Sequence, residues 1–407
     1  MNIKKRIQKA GCVLLGAVLL LLVFYPAASA ADIPALETLI TAAFDARAKH
    51  ANAAGDLLSS PAFSADVSAP TTDWAAFAMA RYSRSDGHGG RTYLYDADYE
   101  GFRGVMAKAV SGWKTDPPKS TDLQRAALCY ASLGGDATDI GGYDLAGAAS
   151  YNSRTAPKKL SVTGLSWALI VMYMYGEPMT GTYTPGALVE ALLARRLPDG
   201  GWALNVAAGE SDVDITAMAL TALSPFRSDT TAYTVTNTYS KKEETLTPAG
   251  AIGDALALLS ARQLENGDYS SYNQPCCESC AQVVTALTAL GIDPTSDARF
   301  IKNGYSVLDG LLRYRLSDGS FTHSFVSAPG AAEAGVYNYM ATDQASYALV
   351  ALWRYRNGYR GLFDLRADPE KQTQGTSQVF AAFIRRFREV FGRLFETFAA
   401  LRTLLGK

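Results

Sequence analysis

Asp214-Ile-Thr-Ala-Met-Ala-Leu-Thr-Ala-Leu223 is a ten-residue phrase that returns along the chain. Ala281-Gln-Val-Val-Thr-Ala-Leu-Thr-Ala-Leu290 and Asp343-Gln-Ala-Ser-Tyr-Ala-Leu-Val-Ala-Leu352 repeat it. Each reads as a helix of small and apolar residues that must pack on several sides. Weaker copies begin at Asp73 (Asp-Trp-Ala-Ala-Phe-Ala-Met79), Asp122 (Asp-Leu-Gln-Arg-Ala-Ala-Leu-Cys129) and Thr163 (Thr-Gly-Leu-Ser-Trp-Ala-Leu-Ile170). Aligned on the Leu or Met six places on, the copies start at 73, 122, 163, 214, 281 and 343. Recurrence at such intervals marks a repeat architecture.

The intervals are long enough for a second helix and two loops. Residues 33–50, 97–112, 184–196, 247–263 and 297–315 carry apolar residues at helical spacing with charges between them, and a weaker segment lies near Asp144–Tyr151. Two kinds of helix therefore alternate, one nearly free of charge and one amphipathic. Six such pairs suit a closed double ring with the uncharged helices inside. An open solenoid would need polar end caps, and neither the first nor the last phrase looks like one. Thr230–Ser240, rich in Thr, Tyr and Val, reads as a short hairpin or loop. Leu197-Pro-Asp-Gly-Gly-Trp202, Leu264-Glu-Asn-Gly-Asp-Tyr269 and Leu316-Ser-Asp-Gly-Ser-Phe321 share one form. Gly supplies the left-handed residue that ends a helix, and the aromatic that follows can fold back onto the helix end.

These turns resemble the Gln–Trp repeat of squalene cyclases, and the Ala-rich phrase resembles the inner helices of the same fold. The span from about 33 to 365 looks like the α/α toroid of terpene cyclases, protein prenyltransferase β-subunits and cobalamin carriers. It is most similar to exported bacterial proteins with prenyltransferase and squalene-oxidase repeats. The resemblance implies an all-α fold, a six-fold α/α toroid over 31–365.

The ends read differently. Lys4, Lys5, Arg6 and Lys9 precede an apolar run, Val13–Phe24, and Ala28-Ser29-Ala30 suits cleavage, so 1–30 reads as a secretory signal peptide. The expectation is a secreted or cell-surface protein. Without those four basic residues, 34 remain of 38, against 39 acidic ones. That acidic balance argues against nucleic acid as a partner. Residues 366–378 are polar and read as a linker. Residues 379–407 place Phe380, Phe383, Phe387, Phe391, Leu394 and Phe398 on one stripe, with Arg385, Arg386, Arg388, Arg393 and Arg402 opposite. Such a basic amphipathic helix lies on an anionic membrane surface, or packs on the ring or on a partner.

The sharpest chemical feature is Asp212-Val-Asp214-Ile215. The resemblance to class II terpene cyclases, which use Asp-x-Asp-Asp, implies Asp214 as a proton donor and Asp212 as its neighbour. Ile215 stands where the third acid would be. A catalytic acid must keep its proton at neutral pH, which needs a dry site and neighbouring acids. The competing expectation is structural. Asp73, Asp122 and Asp343 share the phrase position of Asp214, and one repeated helix cap would account for all four.

Other chemistries lack their motifs. Protein prenyltransferases bind zinc through an Asp, a nearby Cys and a later His. The chain offers Cys280 and His323 but no Asp-x-Cys before them, and Cys277-x-x-Cys280 has no second pair nearby. Asp-Asp-x-x-Asp, Cys-Gly-Glu-Gln, His-Glu-x-x-His, Gly-x-Ser-x-Gly and a P-loop are absent. The reading assigns no metal and no cofactor. It places Trp202, Tyr272, Glu278, Tyr337, Tyr339 and Asp343 on the rim of the ring, where aromatic and polar groups suit a small hydrophobic molecule, a glycan or a protein ligand. A glycan-active enzyme with two rim acids and a corrinoid binder are further alternatives.

Overall fold

The computed structural model describes residues 35–51, 57–85, 91–95, 98–204 and 209–369. The signal peptide, most of the linker and the basic amphipathic segment expected at 379–407 lie outside the described residues. The chain divides into two compact units, 1–83 with 93–366 and 84–92 with 367–407. The first contains every residue of the candidate site described below.

The chain is all-α in character. Thirteen α-helices are described, with short two-stranded hairpins between some of them. They are α1 (Leu36–His50), α2 (Pro61–Ser64), α3 (Pro70–Arg81), α4 (Tyr99–Ser111), α5 (Ser120–Ser132), α6 (Leu145–Ala149), α7 (Val162–Tyr173), α8 (Pro185–Leu193), α9 (Val213–Leu223), α10 (Pro248–Arg262), α11 (Cys277–Ala289), α12 (Val307–Leu312) and α13 (Tyr339–Arg356). The six phrase copies fall in α3, α5, α7, α9, α11 and α13. Each of these packs on the next, and α13 packs on α3, so the order of neighbours returns to its start. The amphipathic helices pack against members of this set: α4 on α5, α6 on α5 and α7, α8 on α7, α10 on α9, α12 on α11, and α1 on α13 and α3.

Local chemistry sets the ends of these helices. Thr184 and Thr247 each precede a Pro at the first helical position, and their hydroxyls accept from Ala187 N (3.3 Å) and Gly250 N (3.1 Å). The three Gly turns are built alike. Leu197 N, Leu264 N and Leu316 N donate to the carbonyls of Gly201, Asp268 and Ser320 at 2.8, 2.9 and 2.8 Å. Gly267 (φ 84°) has no room for a Cβ, which would lie 2.2 Å from Ser306 O. The aromatics that follow, Trp202, Tyr269 and Phe321, are fully buried. The Trp202 indole N–H donates to Leu192 O at 2.8 Å, locking the turn to the end of α8.

Two elements depart from the sequence reading. The helix expected over 297–315 is a 3-10 turn at Ala298–Phe300, a small hairpin pairing Ile301–Lys302 with Tyr305–Ser306, and only then α12. Asn303 and Gly304 take left-handed φ there and break the helical run. Near Thr230–Ser240, Tyr233–Thr236 forms one strand, but its partner lies further on at Glu243–Leu246.

Candidate functional site

The turn geometry fixes how the last three repeats correspond. Asp212 N, Cys276 N and Asn338 N each donate to the carbonyl of the buried aromatic of their own turn, Trp202, Tyr269 and Phe321 (2.8, 3.3 and 2.9 Å). These three residues are therefore the equivalent N-caps of α9, α11 and α13. Two places on stand Asp214, Glu278 and Met340. The phrase alignment, which paired Asp214 with Ala281 and Asp343, is corrected here by three residues. The cause is physical: a slip of three is nearly one helical turn and leaves an Ala/Leu face almost unchanged.

The helix-cap expectation for Asp214 is also corrected. Asp212 does that work, with Oδ1 accepting from Asp214 N (3.0 Å) and Ile215 N (3.2 Å) and Oδ2 from Ser271 Oγ (2.6 Å). Asn338 caps α13 through Ala341 N (3.0 Å). Asp73 and Asp343 are not caps either. Asp73 Oδ2 accepts from Arg125 Nε at 3.0 Å, and the same guanidinium holds Asp122 at 2.7 Å. Asp343 Oδ1 accepts from Arg47 Nε at 2.9 Å. Burial pushes Asp73 up to about 6 and Asp343 up to about 7, and the arginine beside each opposes that shift.

Asp214 has no such cation. Its Oδ1 accepts from Ser279 Oγ at 2.5 Å. Burial pushes the carboxyl up to about 7, the charges of Asp212 and Glu278 add to the shift, and Ser279 and His323 oppose it. Part of the Asp214 surface stays open, although its sequence neighbours Val213 and Ile215 are buried. The carboxyl is thus desolvated by its surroundings, on a residue that is partly exposed.

Glu278 is 6% exposed, and its Oε2 lies 2.8 Å from His323 Nδ1. That contact raises the His323 pKa. Cys276 completes the group. Its Sγ, a Glu278 oxygen and a His323 nitrogen lie within 4.8 Å of one another. Cys276 stands at an N-cap where flanking repeats carry Asp and Asn, and it gives its helix no side-chain cap. It touches Ser279 Oγ at 3.0 Å, and burial pushes its thiol up to about 12. A thiolate, a carboxylate and an imidazole are a donor set for zinc or a similar ion. The Cys277-x-x-Cys280 spacing does not build it: Cys277 Sγ points to Ala341 O (3.8 Å) and Cys280 Sγ to Asp268 Oδ1 (3.1 Å). Sequence reasoning missed Cys276, Ser271 and Ser279. The one signal for Cys276 was a cysteine where a turn calls for a capping residue.

Beyond the acids lie aromatic side chains. Trp167 and Met218 follow Thr163 and Asp214 by four residues, and Gln282 and Gln344 follow Glu278 and Met340 likewise, so each pair shares a helix face. Trp74, Trp167, Met218 and Gln344 keep open surface on helices that are otherwise buried there. The Trp74 and Trp167 rings meet at 5.0 Å, although α5 separates α3 from α7 in packing order. Trp74 lies 5.8 Å from Tyr347, whose hydroxyl is hydrogen-bonded by Gln282 Nε2. Phe363 closes the far side against Phe77 (5.3 Å) and Trp167 (5.6 Å).

The other expected rim residues are scattered. Trp202 is fully buried and spent on the turn lock, a correction to its place on the rim. Asp343 is 2% exposed and ion-paired, so it offers a ligand little surface. Tyr337 stacks on His50 at 3.8 Å. Tyr339 begins α13 and is half-buried. Tyr272 is 70% exposed at the tip of the hairpin pairing Ser270–Ser271 with Gln274–Pro275, at φ 47°, and the charges of Asp212 and Asp214 raise its pKa after burial does. Of the residues expected, Asp212, Asp214, Glu278 and Tyr272 come together.

Comparison with protein-family profiles and with curated proteins finds no match. A solved structure described as a polysaccharide lyase is similar over 79% of this chain and 97% of its own, with 11% identity and a TM-score of 0.39. At that identity and score nothing about chemistry passes from that protein to this one.

Proposed function

We propose that this chain is an exported six-fold α/α toroid, related to terpene cyclases and prenyltransferases, that binds a ligand where the N-terminal ends of α9 and α11 meet. The returning order of the six charge-poor helices supports the toroid. The ligand enters past Asp214 and Tyr272 and rests on Trp74 and Trp167. One observation carries the reading: Asp214 is a desolvated carboxyl on a partly exposed residue, with acids and no arginine against it, while Asp212 has taken over the cap. A carboxyl that keeps its proton near neutrality can donate it to a bound ligand, which is the class II cyclase chemistry expected of Asp214. The residues of 1–30 support export, and the basic segment 379–407 supports contact with a membrane surface.

Thermal-shift titration of the purified chain with isoprenoid and oligosaccharide ligands tests the reading. A ligand bound only by the native state raises Tm with concentration. It does so in the wild type and not in Trp167→Ala. A shift that survives Trp167→Ala and Asp214→Ala equally places the ligand elsewhere and contradicts the reading. If Asp214 is a proton donor, Asp214→Asn keeps the shift and loses any isomeric product found by mass spectrometry.

A second reading has its own observation, the convergence of Cys276, Glu278 and His323 within 4.8 Å. In it the three residues hold a divalent ion, which supplies Lewis acidity at the same mouth. Titration with Co²⁺ gives a thiolate charge-transfer band that Cys276→Ser removes; no band in the wild type rejects it.

A further inference from the structure

A cavity of about 390 Å³, in the size range of small-molecule sites, lies at the opposite end of the ring helices from Asp214. Ile170 and Tyr173 line it from the end of α7, Thr221 and Ala222 from the end of α9, and Ala289 from the end of α11. Ala222 stands eight residues beyond Asp214 on α9, about 12 Å along the helix axis. Gly361, Leu362, Phe363, Asp364 and Arg366, on one strap of chain, form another wall. That strap is pinned at several points. Arg81, the last residue of α3, donates to the carbonyls of Gly361 (2.9 Å) and Asp364 (2.8 Å). Leu365 N donates to Met174 O at 2.7 Å, just past the end of α7.

Most of the lining asks for no hydrogen bond. Thr221 and Thr285 turn their hydroxyls onto their own helices, to Ala217 O (3.0 Å) and Ala281 O (2.8 Å). Three charged side chains line the cavity: Arg227, Asp364 and Arg366. Asp364 is already matched. Arg366 Nε and Nη2 donate to its two oxygens at 2.9 and 2.6 Å, and Arg360 Nη1 lies 3.6 Å away. Arg366 is fixed in turn, because its guanidinium covers Gly176, where a Cβ would lie 2.2 Å from the guanidinium carbon. Arg227 has no carboxylate partner among the described residues, and it donates only to Ser224 O, at 3.5 Å. The C-terminal ends of α7 and α9 repel an anion, and Arg366 and Arg227 are the lining groups that offset this.

We propose that this cavity binds an aliphatic monocarboxylate, its carboxylate in the fork of Arg227 and its chain against Ile170, Tyr173, Leu362 and Phe363. The planar guanidinium matches a carboxylate bidentately. With Asp364 and Arg366 paired, Arg227 leaves one positive charge over, which suits a monoanion better than the dianion of a phosphate ester. Arg227, Ile170 and Tyr173 take no part in the mouth at Asp214, so the two sites stand or fail separately.

The probe is decanoate, with 1-decanol as its uncharged counterpart and decyl phosphate as the dianion, in calorimetric titrations of the whole chain at pH 8 and low salt. The expected result is saturable binding of decanoate, about tenfold tighter than decanol, as for a hydrogen bond to a charged group. Arg227→Gln, at an exposed position, keeps the melting curve, weakens decanoate about tenfold and leaves decanol unchanged. Ala289→Phe fills the cavity from α11 and abolishes binding of both. Equal binding of decanol and decanoate overturns the inference, because the charge of Arg227 then selects nothing. Decyl phosphate binding more tightly than decanoate overturns it in favour of a phosphate. No binding of decanoate to the wild type overturns it outright, and binding that survives both variants places the ligand elsewhere and does the same.

Discussion

Asp343 and Asp214 stand near the starts of two helices of the same kind, and they lead different lives. Asp343 is 2% exposed, with Arg47 Nε at 2.9 Å. Asp73 is likewise sealed against Arg125. Asp214 is desolvated too, yet its charged neighbours are Asp212, Glu278 and His323, and its one hydrogen-bond donor is a serine. The first two carboxylates tie distant segments together: Arg47 comes from α1 and Arg125 from α5. The third meets α11 through that serine alone, with no ion pair. A buried carboxyl kept without a cation costs stability, and such costs collect where a group has chemistry to perform.

The largest way to sharpen this contrast is to remove an arginine. Arg47→Ala leaves Asp343 buried and alone and should cost about 3–5 kcal/mol in urea unfolding. A cost below about 1 kcal/mol would erase the distinction between the two kinds of aspartate.

Removing the charge of Asp214 should do the opposite. Its folded pKa lies above the unfolded value, so the folded state binds more protons between about pH 4 and 7 and stability falls as pH rises through that window. Asp214→Asn should therefore stabilise the chain at pH 8 by on the order of 2 kcal/mol and leave it unchanged at pH 4. Denaturant midpoints at the two pH values check this, and a loss at pH 8 breaks it.

His323→Gln probes the neighbouring pair. Its folded pKa is raised by Glu278, so its contribution is full below the unfolded value of 6.5 and lost as pH rises through the folded one. The pair is partly open, which limits the effect to about 0.5–1 kcal/mol at pH 5.5, vanishing by pH 9. An effect of similar size and opposite sign is expected at the lip. Tyr272 holds a left-handed φ of 47°, and Tyr272→Gly should gain about 1 kcal/mol in stability while weakening ligand binding.

Much of the architecture was legible because it is periodic. Six charge-poor phrases located α3, α5, α7, α9, α11 and α13, and the Gly–aromatic turns located three of the locks between them. Register within a phrase was not legible, since Ala and Leu recur at every turn and a slip of three changes little. That slip made Asp343 look like the counterpart of Asp214. The helix expected over 297–315 failed at Asn303 and Gly304, where apolar spacing continued but the backbone turned left-handed. In the site, Asp212, Asp214, Glu278 and Tyr272 could be picked out. The approach of His323 to Glu278 and Cys276 could not, because 45 residues separate His323 from Glu278 and only the fold joins them. Trp202 misled for a related reason: an aromatic after a turn looks the same whether it faces a ligand or a helix end.

The account rests on Asp214 keeping its proton near neutral pH. A ¹³C-carboxyl NMR titration of the chain, with Asp214→Asn to assign the signal, measures this directly. The predicted midpoint is about 7. A midpoint near 4, the value of an ordinary aspartate, would contradict it.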